Sequence, residues 1–345
     1  MKRSLYTGIP SLCIAFLLAL SAAPATLAQP TPSRALLALS KTNHTLAIVD
    51  PTTLKILATA PVGPAPHEVV ASADGKTAYV SIFGDKIYHT ISVIDLVGQK
   101  ALPDIDTGAL ISTHGLAFVG GKLWFTAQGA KAIARYNPAD GKIDWIMGTG
   151  QDRTHMIYVS PDQKQIYTMN SGSATVSDFR EVTLPPPAGV PGAQPRLDWE
   201  QTIIPVGKGD EGFDVSPDTR ELWTANAQDG TVSIIDLASR KVTTLDAGIV
   251  GSNRLKFTPD GKLVFISNLR GPDLVIYDAA TRKVVKRIAI GHGAAGILMD
   301  PVANRAFVAC SPDNYIVIVD LKSLTVTGKL DVGGEPDGMA WAERP

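Results

Sequence analysis

The chain has 345 residues, 45% of them hydrophobic and 19% charged, with a formal net charge of −1. That composition can bury a large core, which excludes a disordered chain, and its near-neutral balance lacks the basic field that nucleic-acid binding needs. Two cysteines, Cys13 and Cys310, exclude a disulfide framework, while 31 glycines and 24 prolines imply many turns.

The first predicted element is an address. Lys2 and Arg3 precede an apolar run from Ser11 to Ala23, followed by Ala25-Thr26-Leu27-Ala28. This order predicts a signal peptide over residues 1–28, cleaved after Ala28. The run is short for a membrane span, and Pro24 suits a cleavage region. Cys13 lies within the run, which disfavours a lipoprotein anchor. Without Lys2 and Arg3, 30 basic residues face 33 acidic ones, a net charge of −3, and Cys310 is left as a lone thiol that reads as a small buried hydrophobe. The remainder, 29–345, is expected to be one periplasmic or secreted domain, monomeric and without a transmembrane segment.

A phrase then recurs: a β-branched run ending in Asp or Asn. The copies end at Asp50, Asp95, Asn137, Asp236, Asp278 and Asp320, with a degenerate copy near Asp178, at spacings of 45, 42, 41, 58, 42 and 42. Between them lies a turn followed by a strand, as in SADGKTAYVS from Ser72, SPDQKQIYTMN from Ser160, SPDTRELWTAN from Ser216 and TPDGKLVFISN from Thr258. Each unit reads as four short strands. In the fifth these are Gly212–Ser216, Glu221–Ala225, Thr231–Asp236 and Lys241–Asp246, joined by a Pro-containing turn and a Gln-Asp-Gly hairpin turn. Four strands in about 40–45 residues is the period of a β-propeller blade. No helical periodicity of useful length follows the signal peptide.

Innermost strands are expected near His67, His114, His155, Glu211, Asn253, Ala295 and Asp337, which makes an all-β, seven-bladed propeller with four antiparallel strands per blade. The domain starts with three strands (Ala35–Leu39, Thr45–Val49, Lys55–Ala60) and ends with Gly338–Trp341. The last strand is therefore predicted to complete the first blade and close the ring without an open edge. The spacing of 58 marks an insertion. Five prolines crowd into Thr183–Leu197, which predicts an outward loop between the third and fourth strands of its blade. A longer connection is also expected at Phe83–Thr90.

On these motifs, with TVSIIDL (Thr231–Leu237), NRLKFTPDGKLVFISN (Asn253–Asn268), NYIVIVDLKSLTVTGKLDVG (Asn314–Gly333) and PDGMAW (Pro336–Trp341), the chain resembles the YVTN-repeat β-propeller family over nearly all of its length after residue 28. The resemblance implies an exported seven-bladed propeller and no particular reaction. Related propellers include lactonases and propellers associated with cytochromes and quinoproteins. The family's Pro-His or Pro-Glu before the inner strand is kept at Pro66-His67 and lost at Ala294-Ala295.

The ring of residues at the start of the inner strands is the expected ligand site, because all blades converge there. It comprises His67, His114, His155, Glu211, Asn253, Ala295 and Asp337, with Glu68, Arg153, Asp210, Arg254 and His292 as neighbours in sequence. His67, His114 and His155 are candidate ligands for a divalent metal, whose bound water could attack a lactone or ester. No cofactor other than such a metal is implied. The competing reading has each histidine bonding a neighbouring blade's backbone and sealing the seam. Asn170, Asn226 and Asn268, with Gln128 in the matching slot, and the Asp at the end of each third strand read as turn residues. Aromatics on the second strands (Tyr79, Phe125, Tyr167, Trp223, Phe265, Phe307) read as core between blades. No G-x-S-x-G elbow, P-loop, dinucleotide fingerprint or C-x-x-C-H haem site occurs.

Three functional readings follow. The leading one is a binding or scaffold protein that uses the polar channel mouth for a small ligand, a metal or a periplasmic protein partner. The second is a hydrolase of the lactonase class, with His67, His114, His155 and Glu211 holding a metal or activating water and Arg153 or Arg254 steering an anionic substrate. The third is an accessory to a periplasmic cytochrome or quinoprotein system.

Overall fold

A computed structural model of the chain describes Met1 and residues 29–83 and 87–345. The predicted signal peptide, and the part of the Phe83–Thr90 connection at residues 84–86, lie outside the described residues. Among the described residues no helix is long and apolar enough to cross a membrane. Twenty-eight strands among the described residues form seven four-stranded antiparallel sheets. Blades 2 to 7 are β4–β7 (Pro66–Asp106), β8–β11 (Thr113–Gly148), β12–β15 (Thr154–Pro205), β16–β19 (Asp210–Asp246), β20–β23 (Ser252–Ala289) and β24–β27 (Ala294–Leu330), each in sequence order from the axis outwards. Blade 1 takes β1–β3 (Arg34–Pro61) from the start of the domain and β28 (Pro336–Glu343) from its end, in the order β28-β1-β2-β3. Leu36 pairs with Trp341 and Leu37 with Ala340, so the closure predicted from the two chain ends is formed by backbone pairing.

The repeated phrases have local causes. At the turn between first and second strands, the hydroxyl of Ser72, Ser160, Ser216 or Thr258 donates to the Asp two residues on, at 2.6–2.7 Å. The same hydroxyl accepts the N–H five residues on, as Thr77 to Ser72 at 3.1 Å shows. In every blade but the fourth, the Asp or Asn at the end of the third strand accepts N–H groups two or three residues later, as Asp320 does from Lys322 and Ser323 at 3.1 and 2.7 Å. Both are local side-chain-to-backbone turns, which is why the motif survives where the rest of the blade varies.

Packing is between blades. Trp223, Phe125, Phe265 and Phe307 are fully buried, and Tyr79 and Tyr167 nearly so, in clusters such as the one joining Trp223 to Leu255, Val264 and Val275 of the next blade. Burying each such side chain contributes about 1.5–3 kcal/mol. Cys310 is buried against the Ile290 carbonyl, and burial pushes its thiol up to about 12, which makes it the inert hydrophobe expected.

The insertion differs from expectation in one respect. β14 (Thr175–Leu184) and β15 (Arg196–Pro205) are ten residues each, and their ladder runs to Leu184 opposite Arg196. Thr183, Leu184, Arg196 and Leu197 are therefore strand, because Pro is confined to the tip from Pro185 to Pro195 and leaves the flanking N–H groups free to pair. Replacing Pro185–Pro195 by a two-residue Asn-Gly turn should leave the unfolding midpoint unchanged or raise stability by about 1 kcal/mol, through the shorter loop. Thermal unfolding followed by circular dichroism checks this.

Candidate functional site at the channel mouth

The seven inner strands start alike. The residue before each one has positive φ: Ala65, Ser112, Arg153 and Glu335 at 50–59°, and Gly209, Gly251 and Gly293. A register shift then falls at the start of each inner strand, between Pro66 and Val69 and between Asp210 and Gly212, for example. This bulge re-aims the second and third residues towards the axis. The N–H it frees is taken by a second-strand hydroxyl, as Glu68 N–H donates to Ser81 at 3.1 Å and Gly115 N–H to Thr126 at 2.8 Å. The second residues are Asp337, His67, His114, His155, Glu211, Asn253 and Ala295, so every predicted ring position lies at one end of the channel. His292 does not join them. It is 76% exposed and paired with Asp313 at 3.2 Å on an outer loop.

One residue deeper, glycines alternate with large side chains round the axis: Gly338, Glu68, Gly115, Met156, Gly212, Arg254, Gly296. A Cβ at Gly212 would lie 2.1 Å from the Asn253 carbonyl oxygen, and at Gly296 or Gly338 2.3 Å from the corresponding oxygen of the next blade. The glycines let adjacent inner strands touch, and the larger side chains fill the axis. Arg254 of blade 6 reaches across to form an ion pair with Glu68 of blade 2, which closes the channel below the ring. Burial raises the Glu68 carboxyl above the ordinary glutamate range, and the Arg254 charge opposes that shift.

The ring has two halves. In blades 2 to 4 the imidazoles of His67, His114 and His155 lie in series, tilted by 54° and 34° with centroids 5.2 and 3.8 Å apart, and Phe83 stands edge-on to His67 and His114 at 5.0 and 5.2 Å. His67 Nδ1–H donates to the Ala65 carbonyl at 2.8 Å, which fixes the tautomer and leaves Nε2 with its lone pair. His155 Nδ1 is bonded by the Gln128 amide. Burial holds all three below the ordinary histidine value, His114 and His155 well below, with the Arg254 and Arg153 charges adding to it at those two and the Asp337 charge opposing it at His67. They are therefore neutral at pH 7. His114 Nδ1 and His155 Nε2 are buried without a hydrogen-bond partner. In the other half Glu211 accepts from Asn253 Nδ2 at 3.1 Å, with His155 Nε2 at 3.7 Å and Arg153 at 3.9 Å, and Asp337 is paired with Lys41 at 3.0 Å. Ala295 leaves the blade 7 position without a polar group.

This geometry departs from the metal expectation. His67, His114 and His155 follow one another ring to ring, and among the described residues no group of three or more His, Cys, Asp or Glu side chains is placed to hold a metal ion. The mouth is also tighter than expected, with His114, His155, Asn253, Asp337 and Ala295 all buried. Larger grooves lie between blades near the opposite face, one of about 710 Å³ lined by Tyr158, Tyr167, Arg180, Arg220 and Leu237. These seams are products of the repeat, and their charges are already paired, Arg180 with Asp178 and Arg220 with Asp218. Buried atoms in want of a partner sit at the mouth, which makes it the better site.

Sequence reasoning missed Phe83, Gln128, Lys41 and Met156. Gln128 had a signal, its place in the Asn series. Asn170 and Asn226 bond the start of the third strand as turn residues do, whereas Gln128 reaches His155. Phe83 and Lys41 lie at the ends of second strands, where nothing local marks them.

Residues 190–341 match the YNCE-like beta-propeller family. No curated protein matches the chain. Among solved structures, the chain is similar to a functionally unknown protein from Desulfotomaculum acetoxidans (TM-score 0.69, 14% identity, 90% of this chain and 99% of that one). It is similar to a chain of Kuenenia stuttgartiensis hydrazine synthase (0.68, 16%, 88% and 99%). It is also similar to a Bacteroides uniformis protein provisionally described as a 6-phosphogluconolactonase (0.68, 17%, 89% and 99%). At such identities the likeness is one of fold. The chain's described residues form a seven-bladed β-propeller, and the part from the blade 4 insertion to the closing strand carries the match to the YNCE-like family.

Proposed function

We propose that the protein is an exported binding or scaffold protein that engages its ligand or partner at the channel mouth. Export rests on the order of Lys2, Arg3, the apolar run and Ala25–Ala28. The observation that carries the binding reading is the pair of buried, unpartnered nitrogens, His114 Nδ1 and His155 Nε2, beside the unused lone pair of His67 Nε2. These rings are neutral, His67 and His155 are oriented by Ala65 and Gln128, and the free nitrogens offer a bound group hydrogen bonds that the protein itself leaves unmade. The ion pair of Glu68 and Arg254 lies below them, so a group that binds the ring approaches from the mouth.

The chain purified from its export compartment, studied by native mass spectrometry with metal analysis, tests this. A retained small molecule or partner is expected, lost in the triple variant His67→Ala/His114→Ala/His155→Ala and kept when Pro185–Pro195 is shortened. Robust turnover of a lactone or ester, abolished by His114→Ala, would replace the binding reading with the hydrolase. Neither retention nor turnover would leave the histidines as seam residues.

A further inference from the structure

Blades 4 and 5 differ by one side chain at the start of the inner strand. In blade 4, Thr154 stands opposite Asn170 in the ladder, and its hydroxyl donates to Asn170 Oδ1 at 3.0 Å. Asn170 Nδ2 is meanwhile spent on the Thr175 carbonyl and the Ser177 hydroxyl. In blade 5 the same ladder position pairs Asp210 with Asn226. Asn226 Nδ2 is again spent on the third strand, on Thr231 and Ser233 at 2.9 Å each. Its oxygen is left for the residue opposite, which is now an acid. Asp210 Oδ1 and Asn226 Oδ1 are both buried without a partner. Two acceptors cannot satisfy each other, whereas one proton between them can. The second carboxyl oxygen, Asp210 Oδ2, accepts the Asn170 N–H of blade 4 at 3.1 Å, so this carboxyl spans the seam between the blades.

We propose that Asp210 is a neutral carboxylic acid in the folded protein, donating from Oδ1 to Asn226 Oδ1, and that it serves as a pH-sensitive latch between blades 4 and 5 directly behind Glu211. Asp210 is fully buried. Burial pushes its carboxyl up to about 8 against the opposing pull of its own and the Asn170 N–H groups, and the Glu211 charge adds to the rise. The surrounding charges do not reverse this. On β12 stands the neutral His155, and Arg153 precedes it, 3.9 Å from Glu211. On β20, Arg254 and Lys256 are committed to Glu68 and Asp214. β13 brings no charge to this end, the charged Glu221 of β17 lies at that strand's far end, and Lys208 and Asp229 are exposed on the loops above. The sign follows from proton linkage. Below the unfolded value of 3.8 the carboxyl is protonated in both states. Between there and about 8 the folded state holds a proton that the unfolded chain has lost, so stability falls as pH rises. Above that window both states are ionised, and the seam carries a buried carboxylate facing an amide oxygen.

The latch does not depend on what the mouth binds. Urea unfolding of the full chain from about pH 5 to about pH 9 tests it, in the native sequence and in Asp210→Asn and Asp210→Thr. Both replacements offer a hydrogen to Asn226 Oδ1, and the second copies Thr154. The ratio of unfolding constants between native and either variant is expected to change by up to about tenfold per pH unit within the window. Difference infrared spectra should show a protonated carboxyl stretch at neutral pH that Asp210→Asn lacks and that bleaches at alkaline pH. Parallel pH profiles, or no such band, would overturn the proposal. If Asp210→Asn fails to fold, the Asp210→Thr profile and the native protein's band decide.

Discussion

Gly212→Ala is expected to destabilise the propeller by about 3 kcal/mol, among the largest effects of any single added methyl group in the chain. The new Cβ would lie 2.1 Å from the Asn253 carbonyl oxygen and 2.6 Å from the Arg254 Cα. Both are backbone atoms of the next inner strand, so no rotamer change relieves the clash. Relief requires blades 5 and 6 to part at the axis, which lengthens contacts all along that seam. Gly148→Ala is the control. It lies at the end of an outer strand with nothing within 4 Å of the added methyl and no positive φ, and there the change should be neutral or slightly stabilising. Thermal midpoints of the two variants measure the contrast, with a fall of roughly 4–5 °C expected for the first. Equal midpoints would mean that the inner strands are less closely packed than the geometry requires.

The second large effect concerns the ion pair across the channel. Arg254→Met should cost about 3 kcal/mol at neutral pH, because it leaves the partly buried Glu68 carboxylate without its counter-charge. Adding Glu68→Gln should recover most of that loss, since the pair's mutual attraction largely repays its own desolvation. The single variant should also acquire a pH dependence. Burial already raises the Glu68 carboxyl above its ordinary value of 4.5, and removing Arg254 takes away the main opposing charge. A carboxyl raised in the folded state stabilises when protonated, so Arg254→Met should regain stability as pH falls towards and below the Glu68 range. Urea midpoints of native, single and double variants at neutral and mildly acidic pH complete the cycle. A double variant as unstable as the single one would show that Arg254 acts by filling the axis and not by its charge.

Both effects arise where the sequence is silent. The Gly-versus-large alternation at the third inner position is present as letters (His114-Gly115, Glu211-Gly212, Asp337-Gly338 against His67-Glu68, His155-Met156, Asn253-Arg254). Its meaning depends on residues far apart in the chain meeting round one axis. Glu68 and Arg254 are 186 positions apart, and no local pattern pairs them.

What the sequence determined alone was everything that repeats. The Ser-x-Asp and strand-end Asp turns are contacts within a few residues, so each blade wrote the same signal and the copies could be counted. Blade number, the closing strand and the placement of His67, His114, His155, Glu211, Asn253 and Asp337 at inner-strand starts all follow from that count. Only the tertiary structure decided what those residues do once assembled. Histidines from three blades meet ring to ring and stay neutral because burial acts on them together. The channel closes because a guanidinium spans its width, and the Asp210 carboxyl meets Asn226 where blade 4 has a threonine. Repetition is a local property and survives in sequence. The contents of the axis are set by seven chain segments converging, and no one segment carries that information.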